Sequence, residues 1–228
     1  EGVYGARYLA EAADMAVNLA KGGEARAAPI KLSNEAQRTL DGVARGMAAS
    51  QRYVRGVFSG GTFCYEAQLV HAAAGVQAFS NTPTEGNSRL RNSAKSQENA
   101  IIDMGDDEFT RGRPHPMIDP SQRNARIAEE IADPRTAVVL FDVVLGYGAS
   151  ADPTAGLIGV IGAARAGAKG AGRQVALVAH VCGTDLDPQN REGVVAALKS
   201  AGVLVASSNA EAAAWSAAIV AARSGARR

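Results

Sequence analysis

Apolar residues recur along this chain in two rhythms. Over the first fifty residues the spacing is helical. Residues 8–20 (YLAEAADMAVNLA) form one such stretch, stopped by Gly22 and Gly23. Ser33 caps a second that runs to about Ser50. From Arg52 onward the rhythm changes to short apolar runs at 53–58, 100–103, 136–144, 174–181 and 202–206, the third interrupted near its carboxyl end by Asp142. Runs of this kind read as strands of a parallel sheet covered on both faces. Each is followed by a helical stretch, the last ending near Arg223. Strand–helix repeated five times, with right-handed crossovers, predicts an α/β fold: a doubly wound, five-stranded parallel sheet of flavodoxin-like order. The expected organisation is an N-terminal helical appendage over 1–50 and the sheet domain over 51–224. Two amphipathic helices cannot bury their faces on each other alone, so they pack either on the main domain or on an upstream one of which 1–50 would be the tail.

Four of the five strand ends lead into polar or glycine-rich turns, near 59, 105, 146 and 183. Open α/β sheets place ligands at the carboxyl ends of their strands. At the first turn, Ser59, Gly60, Gly61 and Thr62 open a helix whose free amides and dipole suit an anion. Gly146, Gly148 and Ala149 form a second such turn, Gly183 and Thr184 a third. The longest strand-to-helix connection, 103–120, exceeds the roughly 2–6 residues of an ordinary loop of that kind. It carries Arg111 and Arg113, whose forked donors fit phosphate or carboxylate, and His115 between two prolines as a proton donor. The competing reading pairs both arginines with Asp106, Asp107 or Glu108 and gives the loop only a shape. Asp119 reads as the cap of the helix that follows, with Pro120 at its first helical position, and Pro153 reads as the first helical residue after the Gly146 turn. Residues 80–98 read as a polar surface excursion. His71 reads as structural, and Trp215 as a packing anchor. His180 fits either a core or a site role.

Composition then removes several classes. The net charge of +1 makes no case for nucleic acid or an anionic membrane. No apolar run approaches the roughly 20 residues of a membrane span. Cys64 and Cys182 follow no metal-site spacing, so free thiols in a reducing cytoplasm are expected, with no metal site. There is no Gly-x-x-x-x-Gly-Lys-Ser/Thr segment, and Gly60 and Gly61 do not complete a dinucleotide motif.

Residues 52–222 resemble the CoA-ligase domain of succinyl-CoA synthetase, its beta subunit more than its alpha subunit. The resemblance is carried by 57–66 (VFSGGTFCYE), 101–105 (IIDMG), 133–142 (DPRTAVVLFD), 145–148 (LGYG) and 178–185 (VAHVCGTD). The run 105–120 (GDDEFTRGRPHPMIDP) is similar to the FdrA family of acyl-CoA synthetase-like proteins. The resemblance implies phosphate held at Gly146, Gly148 and the amides after them. The phosphohistidine segment Gly-His-Ala-Gly of the alpha subunit does not occur in the sequence. CoA and ATP are implied as cofactors of the whole assembly, bound on other domains or subunits. A small-molecule acid and a phosphate compound are the implied ligands, within a homo- or hetero-oligomer of ligase or transferase subunits. FdrA-like proteins are also associated with oxamate carbamoyltransferase in purine catabolism. That activity, and a non-catalytic assembly role, stand as alternatives.

Overall fold

The computed structural model describes residues 2–225. Two helices, α1 (Leu9–Ala20) and α2 (Asn34–Arg45), precede the sheet. Then follow β1 (Tyr53–Phe58), α3 (Gly61–Ala73), β2 (Phe79–Ser80), β3 (Ser88–Arg89), β4 (Ala100–Asp103) and α4 (Asp107–Thr110). The second half comprises α5 (Ser121–Ala132), β5 (Thr136–Val144), α6 (Ala155–Gly170), β6 (Ala176–Cys182), α7 (Arg191–Ser200), β7 (Leu204–Ala206) and α8 (Asn209–Gly225).

All pairings are parallel, in the order β3-β2-β4-β1-β5-β6-β7. The five long strands thus keep the flavodoxin-like order, but the sheet has seven strands rather than five. The additional two lie in the stretch read as a polar excursion. At two residues each they are too short for any alternation to register. Their ladder is real nonetheless: Phe79 N donates to Asn99 O at 2.7 Å and Leu90 N to Ser80 O at 2.9 Å. Nor is the excursion loose. Arg126 on α5 donates to Ser93 O and Ser96 Oγ, both at 2.9 Å, while pairing with the buried Glu130.

Alternation along the strands explains the two layers. Val54, Phe58, Val138, Leu140 and Val178 face a core built with α2, α3 and α8. Val57, Ile102, Val139, Phe141, Val143 and Leu177 face a second core built with α5, α6 and α7. Central β5 is buried along eight of its nine residues, as a strand covered on both faces requires. Gly56 lets β1 and β4 close up, since a Cβ there would lie 3.0 Å from Ile101 Cγ2.

The expected helical appendage is not set apart from the sheet. Ser33 Oγ caps α2 by accepting from Ala36 N at 3.1 Å, and Leu40 and Ala44 join the core against α8. By contrast α1 has no buried residue. Its start is tied down by Leu9 N donating to Glu66 Oε1 at 2.7 Å. Two helix starts fall later than expected. Asp119 Oδ1 accepts from Ser121 N and Asp152 Oδ1 from Thr154 N, both at 3.0 Å. These side chains close a turn ahead of each helix, which displaces Pro120 and Pro153 from the first turn. No described helix is long and apolar enough to cross a membrane.

Candidate functional site

The β1–α3 turn is the centre of the site. Gly60 occupies the cap position of α3 and has no side chain to offer its amides. Cys64 N is the first amide to reach back, to Gly60 O at 3.4 Å. Among the described residues the amides of Gly61, Thr62 and Phe63 therefore carry no partner, as in the first turn of an uncapped helix. They open on a cavity of about 440 Å³ lined by Ser59, Thr62, His115, Met117, Asp142 and Val144, among others.

The floor of that cavity is a buried polar cluster. Asp142 interrupts the apolar run of β5 and is 1% exposed. Its Oδ1 accepts from Ser59 N at 2.8 Å and Ser59 Oγ at 3.0 Å. Its Oδ2 has no partner among the described residues. Arg123, 2% exposed on α5, reaches under the turn. Its Nη1 donates to Ser59 Oγ at 2.9 Å and Asp142 O at 2.8 Å, and lies 3.9 Å from Asp142 Oδ1. Burial pushes the Asp142 carboxyl above its ordinary range, against the pull of Arg123 and the Ser59 donors. The cluster fixes Ser59, and with it the orientation of the α3 amides.

The 103–120 connection closes one side. Asp103 Oδ1 accepts from Gly105 N at 2.8 Å, and Asn81 brackets the Asp103 backbone with two bonds of 3.0 Å. Burial raises the Asp103 carboxyl, which the nearby His115 opposes. Asp106 caps the single helical turn of α4 by accepting from Glu108 N at 3.0 Å. This turn interrupts what the sequence presents as an unbroken loop. Glu108 takes a short hydrogen bond from Ser93. His115 Nδ1 accepts from Met117 N at 3.2 Å, which directs the Nε2–H towards Gly105 and the β1–α3 turn. A Cβ at Gly105 would lie 2.6 Å from both His115 Nε2 and Ser59 O, so loop, turn and imidazole meet there.

The expected residues are therefore only partly gathered. Ser59, Gly60, Gly61, Thr62 and His115 line one cavity. Arg111 and Arg113 are exposed and lie outside that lining, and their side chains form no ion pair among the described residues. The pairing with Asp106, Asp107 or Glu108 does not form either. The turn at Gly146, Gly148 and Ala149 abuts the loop, with Ser150 N donating to Met117 O at 2.7 Å. Its first donor is occupied, since Gly146 N gives its hydrogen to Gln189 Oε1 at 3.0 Å. Gly146, at φ +134, takes a conformation that glycine permits. At the third turn, Thr184 N donates to Asp187 Oδ2 at 2.6 Å, and a Cβ on Gly183 would meet Leu145 Cβ at 2.7 Å.

Sequence reasoning noticed Asp142 as an interruption of its strand but gave it no role. It passed over Arg123 entirely, because an arginine inside an amphipathic helix reads as a solvated face. His180 stacks edge-on against Phe63 at 5.7 Å between centroids, and burial lowers its pKa. His71 is fully buried, bonded to Ala67 O at 2.7 Å and Ser216 Oγ at 2.9 Å, with its pKa lowered by burial to about 4. Both cysteines are free, and burial raises Cys64 to about 12. No cluster of three metal-ligating side chains occurs among the described residues.

Two comparisons place this geometry in a family. Residues 57–219 match the family model described as CoA-ligase, which takes in the buried cluster, all three glycine turns and every residue of the cavity lining but Leu9. The chain is also 38% identical over 196 residues to YahF of Escherichia coli K12, a protein described as uncharacterized. That match covers 82% of the chain but 38% of YahF, so the chain spans less than two-fifths of that relative's length. With the family model covering well over half of its residues, this chain belongs to the CoA-ligase family.

Proposed function

We propose that the chain is the ligase-like domain of an FdrA-type acyl-CoA synthetase related to succinyl-CoA synthetase. In this reading the cavity at the head of α3 takes the phosphoryl group of inorganic phosphate or of an acyl phosphate. The observation that carries it is the row of unpartnered amides at Gly61, Thr62 and Phe63 facing the cavity. Helix starts with free amides favour oxyanions through hydrogen bonds and the helix dipole together. His115 supplies an N–H donor at the cavity wall, and Ser59 is held too firmly by Asp142 and Arg123 to leave its place. Backbone donors then do the binding, with no side-chain nucleophile needed.

The donors are grouped at one helix start, which suits one oxyanion rather than a nucleotide or CoA. CoA and ATP are assigned to other domains or partner subunits, where they would supply the thiol and the phosphoryl group. The deciding experiment offers the full-length protein and its partners two sets of substrates. One is a carboxylic acid with CoA and ATP; the other is oxamate with carbamoyl phosphate. Thioester formation is the expected result. Product from the second set alone would replace the ligase reading with carbamoyl transfer, and product from neither would point to an assembly role.

A further inference from the structure

We propose that Asp142 makes the α3 cavity selective for inorganic phosphate over sulfate, by accepting a hydrogen bond from a protonated oxygen of the bound anion. The inference rests on the anion-binding reading of the same cavity. Asp142 lines the cavity beside the free amides, yet it is an acceptor at a site otherwise built from donors. Its Oδ1 is saturated by Ser59 N and Ser59 Oγ. Those donors, with the Arg123 guanidinium 3.9 Å away, favour its charged form against the burial that raises its pKa. Its Oδ2 is buried and has no partner among the described residues. A buried acceptor left without a donor carries a large desolvation penalty. A ligand that brings an O–H removes that penalty, and one that brings only lone pairs adds charge repulsion to it.

Phosphate and sulfate have the same shape and similar charge, but at neutral pH every phosphate ion carries at least one proton and sulfate carries none. The α3 amides can bond the ionised oxygens of either. Only phosphate can also donate to Asp142 Oδ2. Selectivity therefore comes from a mismatch imposed on the wrong ligand. Arg123 is the positioning residue, since it holds Ser59 and the Asp142 backbone and so keeps Oδ1 occupied and Oδ2 free.

The test is calorimetric titration of the full-length protein with sodium phosphate and with sodium sulfate at neutral pH. Phosphate is expected to bind about ten- to hundredfold more tightly. Asp142→Asn keeps the shape and the Ser59 bonds through its carbonyl but presents an N–H to the cavity. It should admit sulfate and bring the two affinities within about threefold of each other. Equal binding of both anions by the unsubstituted protein would overturn the selectivity and leave the anion site standing. Binding of neither would overturn the anion site, and this inference with it. An unchanged preference in a folded Asp142→Asn would remove Asp142 from the account, and the unsubstituted protein's ratio decides the matter if that variant does not fold.

Discussion

Gly105 offers the sharpest test of how loop and turn are fitted together. Replacing it with alanine adds one carbon where β4 gives way to the loop. That carbon would lie 2.6 Å from Ser59 O, 2.6 Å from His115 Nε2 and 3.0 Å from Gly60 Cα. Unstrained contacts between heavy atoms sit near 3.5–4.0 Å, so the neighbours must retreat by about 0.5–1.4 Å. The imidazole can rotate away. The Ser59 carbonyl and Gly60 Cα are backbone, tied to Asp142 through Ser59 N, and they move only if the whole turn moves. Overpacking of this kind costs about 1–3 kcal/mol. Gly105→Ala should therefore lower the stability measured by urea denaturation by about that amount. It should also weaken phosphate binding about tenfold or more, because the displaced turn carries the α3 amides. Gly60→Ala is the control for stability. Gly60 has an extended backbone with φ −172, and a Cβ there meets nothing within 4 Å, so its stability should change by less than about 0.5 kcal/mol. A Gly105→Ala protein as stable as its parent would refute the packing described for this junction.

Arg123→Met should cost about 3–5 kcal/mol in denaturation, since it strands the buried Asp142 charge; Asp142→Asn in the same chain should recover part of that loss. The buried His71 has its folded pKa depressed from 6.5 to about 4, so its contribution is present above about pH 6.5 and is lost as pH falls from there towards 4. A His71→Gln variant should show a shallower loss of stability across that window, by up to about 3 kcal/mol, and an identical slope in both proteins would contradict the assignment. Arg113→Ala should reduce phosphate affinity by less than about threefold, with the difference vanishing at high salt, because the exposed guanidinium acts only at a distance. A tenfold loss that persists in salt would place Arg113 in direct contact with the ligand.

The fold was legible because its strands are long apolar runs separated by helical stretches, and that rhythm survives whatever the loops do. What escaped was local. Phe79–Ser80 and Ser88–Arg89 pair for two residues each, and their place in the sheet depends on partners such as Asn99 that are far away in sequence. The late starts of α5 and α6 were set by side chains, Asp119 and Asp152, that close their own turns first. For the site, glycine spacing was a good guide to turns but a poor guide to free donors. Gly61 keeps its amide open, while the amides of Gly146 and Thr184 are taken by Gln189 and Asp187. No local pattern distinguishes these cases. Arg111 and Arg113 drew attention because of their charge, yet the arginine that organises the cavity is Arg123, recognisable only once α5 is packed against the end of β5. Asp142 was the one readable signal, a carboxylate in an otherwise apolar strand.

The central claim is that the head of α3 binds phosphate through its backbone. Titrating the isotopically labelled full-length protein with phosphate, and following amide chemical shifts, tests it directly. The account predicts saturable shifts concentrated at Gly61, Thr62 and Phe63, with smaller ones at Ser59 and His115. Saturable shifts at Gly148, Ala149 or Thr184 that leave residues 59–63 unmoved, or no saturable shifts at all, would contradict it.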